Sequence, residues 1–222
     1  MNYRKVAVIG TAIIVGYCGT VAVADKASGA TGLATGGAGW NLGESKYFHY
    51  NTYWFTYTNA SERTKLKPVV DRLITQLNRD LKPVVFKSSN TLEFVKSGGC
   101  APKQHINLDI TRKPAGNLGT SLGGNCTTNS GLYSGHVMYS NAYWTGEYKT
   151  RTPAALKNVI AHEIGHALGL EHVYAPCPKS GTTKPVMCTD PYVGGYQNSN
   201  AGLFTKWDLA GLRTAIKNRS KI

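Results

Sequence analysis

The run His162-Glu163-Ile164-Gly165-His166-Ala167-Leu168-Gly169-Leu170-Glu171-His172 constrains this chain more than any other stretch. Histidines four apart on a helix project from one face, one turn above the other, so His162 and His166 can meet on a single metal ion. His172 comes six residues later and could not share that face if the helix simply continued. Gly169 predicts the break, because glycine accepts the left-handed conformation that turns a chain sharply. His172 then returns to the same ion. Three neutral imidazoles and one open position describe a catalytic zinc site, whereas closed structural sites take four protein ligands. One zinc ion is therefore expected. Glu163 stands beside the first ligand and has no basic partner or capping role to explain it. Its carboxylate suits a general base that takes a proton from water and passes it to a leaving amine, while zinc offsets the charge on a carbonyl oxygen. A solvated helix would explain H-E-x-x-H alone, but not Gly169 and His172 as well.

The motif resembles that of the metzincin zinc endopeptidases. The resemblance implies that the three histidines hold zinc, that Glu163 is the base, and that a methionine lies in a tight turn beneath the metal. Met187, in Lys184-Pro185-Val186-Met187-Cys188, stands at that place, after a proline that suits a turn. Within the metzincins the chain is similar to small secreted bacterial enzymes of the matrixin and snapalysin type. Val173-Tyr174-Ala175-Pro176-Cys177 and Cys188-Thr189-Asp190-Pro191-Tyr192 resemble snapalysin, whereas His172 as third ligand follows the matrixin arrangement. Thr189 occupies the position where astacins and serralysins carry a tyrosine near the metal. The implied substrates are proteins or peptides in extended conformation, added as a strand to a sheet edge expected within Leu118–Tyr133. The implied pocket follows Met187 and includes Thr189, Tyr192 and Tyr196. A structural calcium ion is open by resemblance, but no acidic calcium loop of the form D-x-D-x-D-G is present.

The first 24 residues read as a secretory signal. Arg4 and Lys5 precede an apolar run from Val6 that ends Ala22-Val23-Ala24 before Asp25. Removal of that segment leaves no expected membrane anchor and discards Cys18. Four cysteines then remain, Cys100, Cys126, Cys177 and Cys188, and an even number in an exported chain implies disulfides. Three pairings satisfy the count; Cys100–Cys126 with Cys177–Cys188 is the most economical. The chain holds 25 basic and 12 acidic residues, and two of the basic ones precede the cut, so the mature chain carries a net charge of +11. Its lysines are scattered, with no basic stripe and no phosphate-cradling loop, which argues against a nucleic-acid partner.

Residues 25–45, rich in Gly, Ala, Thr and Ser, read as a flexible lead-in or short pro-segment. Residues 46–222 suit one catalytic domain, expected as a monomer. Strands are predicted over Tyr50–Thr58, Val84–Lys87, Ile106–Thr111 and Gly135–Ser140, with a short helix or turn at Leu92–Val95. Leu66, Val69, Val70, Leu73, Ile74, Leu77 and Leu81 follow helical spacing, with Pro68 expected in the first turn of that helix. Thr152-Pro153 opens the helix that carries the zinc motif, and Thr205-Lys206-Trp207-Asp208 resembles a capping box before a last helix. His49, His105 and His136 have no ligand spacing and read as surface or satisfied polar residues. The fold class expected is α+β: a twisted mixed sheet over the zinc helix, a second helix on its N-terminal side, and a small irregular C-terminal part ending in a helix. A zinc-stabilised binding module without catalysis is the rival reading, and the intact Glu163 argues against it.

Overall fold

The computed structural model describes residues 47–96, 99–111, 122–128, 131–145, 152–173, 184–188 and 195–219. The expected signal at 1–24, the lead-in at 25–45, and Cys177, Thr189 and Tyr192 lie outside these residues. Among the described residues six strands and four helices follow in the order β1 (Tyr47–Phe48), β2 (Thr52–Tyr57), α1 (Ala60–Asp80), β3 (Val85–Leu92), β4 (His105–Thr111), β5 (Leu122–Thr128), β6 (Gly131–Ser140), α2 (Ala142–Thr145), α3 (Pro153–Ala167) and α4 (Lys206–Arg219). One sheet joins the strands in the order β1-β6-β4-β2-β3, and β5 also pairs with β6. All pairs are parallel except β5 with β6. This mainly parallel sheet with helices against it is the mixed architecture expected of the chain. No helix among the described residues is long and apolar enough to cross a membrane.

The α1 crossover between the parallel strands β2 and β3 supplies one wall of the core. Leu66, Val69, Val70, Leu73 and Leu77 line one stripe of α1 and are buried against the sheet. The helix starts earlier than the proline suggested. Asn59 caps it, accepting from the Glu62 N–H at 3.0 Å, and its own Nδ2 donates to Glu62 Oε1 at 2.7 Å. Pro68 is therefore inside the helix, on its exposed side. An interior proline costs about 3 kcal/mol in isolation, and the buried stripe beside it offsets that cost.

Strand alternation holds where one face meets the helices. Ile106 and Leu108 of β4 are buried in the core, while His105, Asn107 and Asp109 take the other face. That second face is not bare. Asn107 is fully buried and donates to Thr56 Oγ1 at 3.2 Å and to the Glu93 carbonyl at 2.7 Å, which ties down the chain leaving β3. His105 pairs with Glu93 at 2.5 Å. His136 is buried, and its Nε2 has no hydrogen-bond partner among the described residues, so it is neither the surface nor the satisfied polar residue its sequence context suggests. Burial pushes its pKa below the ordinary histidine value.

Three further departures share one cause. β3 runs on through Leu92 instead of ending at Lys87, so Leu92 belongs to a strand and Glu93–Lys96 is irregular. β6 begins at Gly131 rather than Gly135, and β1 forms a two-residue strand against it. Each extension is driven by a pairing partner distant in sequence, which local composition does not reveal.

Candidate metal centre

Helix α3 begins as the sequence requires: Thr152 Oγ1 accepts the Ala155 N–H at 3.2 Å, and Pro153 occupies the first turn. Ile160, Ile164 and Leu168 are buried in the core shared with the sheet and α1, and Val159 is buried as well. The opposite face presents His162 and His166. Beyond Ala167 the chain turns through Gly169, whose φ of 97° is the left-handed region that favours glycine. The Gly169 N–H closes on the His166 carbonyl at 2.9 Å and the Leu170 N–H on Gly165 at 2.9 Å. This ending satisfies the last carbonyls of the helix and returns His172.

The three imidazoles converge. His172 Nε2 lies 3.1 Å from His162 Nε2 and 3.0 Å from His166 Nε2. The three ligand atoms fall within 4.8 Å of one another, the spacing of a group that holds one ion. Their donor chemistry fits as well as their placement. His162 Nδ1 donates to the Val186 carbonyl at 2.7 Å, and His166 Nδ1 to the Leu170 carbonyl at 2.8 Å. A proton held on Nδ1 leaves the Nε2 lone pair free for a metal. Burial, reinforced by His172, pushes His162 down to about 3. Burial and the neighbouring imidazoles hold His166 well below its ordinary range, and burial lowers His172. All three are therefore neutral near pH 7, as metal ligands must be. Glu163 follows His162 on the helix and is buried to 7 % exposure.

Met187 is fully buried against Gly165 of α3, in a turn closed by Cys188 N–H to the Pro185 carbonyl at 3.3 Å. The Met187 carbonyl accepts the Val173 N–H at 2.7 Å, so the turn is joined directly to the residue after His172. Three residues shape this region through contacts that the sequence did not reveal. Gly165 faces the Met187 sulfur so closely that a Cβ there would overlap it. Asp208, fully buried at the start of α4, accepts the N–H groups of Val186 at 3.0 Å and Met187 at 3.2 Å. Its Oδ2 also accepts the Thr205 N–H at 2.8 Å and hydroxyl at 2.6 Å. Thr205-x-x-Asp208 thus forms the back-reaching half of the expected capping box, and the same carboxylate clamps the methionine turn. Asn158, one turn before His162, donates to the Tyr196 carbonyl at 3.0 Å and accepts the Gly202 N–H at 2.9 Å.

Tyr196 thus enters through its backbone, just after the Lys184–Gly195 bridge, and its side chain is half-buried. Cys100 and Cys126 form a disulfide with Cα atoms 5.9 Å apart. Cys188 is also disulfide-bonded, to a partner outside the described residues. The model of the matrixin family matches residues 55–178, which runs from within β2 and takes in α1, β3 to β6, α3 and all three histidines. No curated protein matches the sequence significantly.

Proposed function

The chain belongs to the matrixin family of zinc metallopeptidases, and we propose that it is a secreted endopeptidase that cuts peptide bonds in extended segments of proteins. The observation that carries this reading is the convergence of three Nε2 atoms, with the Nδ1 protons of His162 and His166 held by backbone carbonyls, beside a buried Glu163. His162, His166 and His172 would hold the zinc ion. When bound, zinc supplies a Lewis acid that acidifies water and polarises a carbonyl.

The chain's own residues do the rest. Glu163 takes a proton from the attacking water and delivers it to the departing amine, which lets one carboxylate serve as base and then as acid. Strand β5, which pairs with β6 alone among the described strands, offers its outer edge to an extended peptide. Thr189, Tyr192 and Tyr196 line the pocket for the residue after the scissile bond. Residues 1–24 direct export, 25–45 form a lead-in, and the disulfides suit an oxidising exterior.

Substitution of Glu163 by alanine tests the mechanism. The Glu163→Ala protein retains zinc and loses turnover by about 100-fold or more, the scale of a positioned general base. His166→Ala loses zinc and turnover together. Full turnover by Glu163→Ala with zinc bound overturns the assignment of the base.

A further inference from the structure

Strand β5 reads Leu122-Gly123-Gly124-Asn125-Cys126-Thr127-Thr128. Adjacent glycines give it little preference for the extended state, because glycine loses most entropy on ordering and offers no side chain to pack. The strand is nevertheless paired with β6 along its length. Two consecutive residues, projecting to opposite faces, hold it. On one face Cys126 is bonded to Cys100, in the segment that leads into β4. On the other, Asn125 Nδ2 donates to the His166 carbonyl at 3.0 Å. The pairing register shifts directly after this point, between Cys126 and Thr127, so the strand is anchored where its ladder is least regular.

The oxygen that Asn125 reaches is not an arbitrary one. It belongs to a residue of the three-histidine group and also accepts the Gly169 N–H in the turn that returns His172. One carbonyl therefore joins the edge strand, the metal-bearing helix and the returning turn. We infer that Asn125 is a positioning residue: its side-chain amide locks β5 to this turn and sets the distance between a peptide added to β5 and the metal centre. The inference rests on the endopeptidase reading. It needs no change in how His162 and His166 are oriented toward a metal, because the Nδ1 partners of these two are the carbonyls of Val186 and Leu170, not groups of β5. A shift of about 1 Å between bound peptide and reacting centre is enough to cost about 100-fold in rate.

Two variants and two ligands separate positioning from mere stability. Asn125→Asp is isosteric and turns an acceptor toward the His166 carbonyl, whereas Asn125→Ala removes the contact. Acetohydroxamate engages the metal only; a peptidyl hydroxamate engages the metal and the strand edge together. With the zinc-loaded chain, acetohydroxamate affinity stays within about twofold in both variants, and the peptidyl compound weakens by about tenfold or more, most in Asn125→Asp. On a long peptide substrate kcat falls by a similar factor and KM changes less. Equal affinities for both ligands across wild type and variants overturn the inference. So does equal weakening of both ligands, which would mark Asn125 as a general support of the metal site. Absence of turnover in the wild type, with the peptidyl compound still weakened selectively, would count against the endopeptidase reading and leave the positioning role standing.

Discussion

Gly165→Ala tests whether the methionine turn is packed against the helix as tightly as the geometry states. A Cβ at residue 165 would overlap the Met187 Sδ, stand 3.2 Å from its Cε and 3.4 Å from Phe204 Cε1. The obstructing atom is the sulfur, in the middle of a side chain that is fully buried, so it cannot swing aside as a free end would. Overpacking of this kind costs about 1–3 kcal/mol. Alanine also favours the helix over glycine by about 1 kcal/mol. The net expectation for Gly165→Ala alone is a loss of up to about 2 kcal/mol. In a Met187→Ala background the obstruction is gone, and the same substitution becomes stabilising by up to about 1 kcal/mol. Urea denaturation of the four proteins of this cycle yields the coupling between the two sites, expected at about 1–3 kcal/mol. A substitution equally tolerated in both backgrounds would refute the packing argument. Zinc titration of the same set adds a second readout, because Met187 follows Val186, whose carbonyl holds His162 Nδ1.

Two further outcomes follow from the polar groups around the site. Asp208→Ala leaves the buried N–H groups of Val186 and Met187 without their acceptor, at about 1–3 kcal/mol for each. Urea denaturation should show that loss and titration a weaker affinity for zinc; an unchanged midpoint contradicts the clamp. In the metal-free protein the depressed pKa of His162 makes stability depend on pH in one direction. Between its ordinary 6.5 and its folded value of about 3, the unfolded chain binds a proton that the folded chain refuses. Stability is complete above pH 6.5 and falls with pH below it, by up to about 1.4 kcal/mol per pH unit for this residue. His166 and His172 shift in the same sense. Glu62, whose carboxyl is pushed up to about 7 by burial, contributes in the opposite sense over the same range, so the test is a difference. From pH 7.5 to pH 5 the zinc-free chain should lose more stability than its His162→Ala variant, and an equal change in the two urea midpoints contradicts the burial of a neutral imidazole at His162.

What could be read from the sequence was local. His162, His166, Gly169 and His172 lie within eleven residues, and the helical repeat with one glycine turn determines their convergence. Thr152 and Pro153 signal a helix start by chemistry confined to one turn. The groups that finish the site answer to distant neighbours. Gly165 reads as one more glycine until Met187 is placed against it. Asp208 reads as a cap, because only the fold brings the Val186 N–H to the oxygen that caps Thr205 and the Met187 N–H to the other one. Asn125 sits in a glycine-rich stretch whose signal was an edge strand and nothing more. Pro68 misled for the complementary reason: a local rule against interior proline was outweighed by a buried stripe of leucine and valine along α1.

The central claim is zinc-dependent peptide hydrolysis at the three-histidine centre. Its most direct test is the zinc content and casein hydrolysis of the chain from Asp25 onward, with and without 1,10-phenanthroline. The account predicts one zinc ion per chain and cleavage that the chelator abolishes and added zinc restores. Cleavage that persists after complete removal of zinc would contradict it, as would a folded, zinc-loaded protein that cuts neither casein nor any member of a broad peptide library.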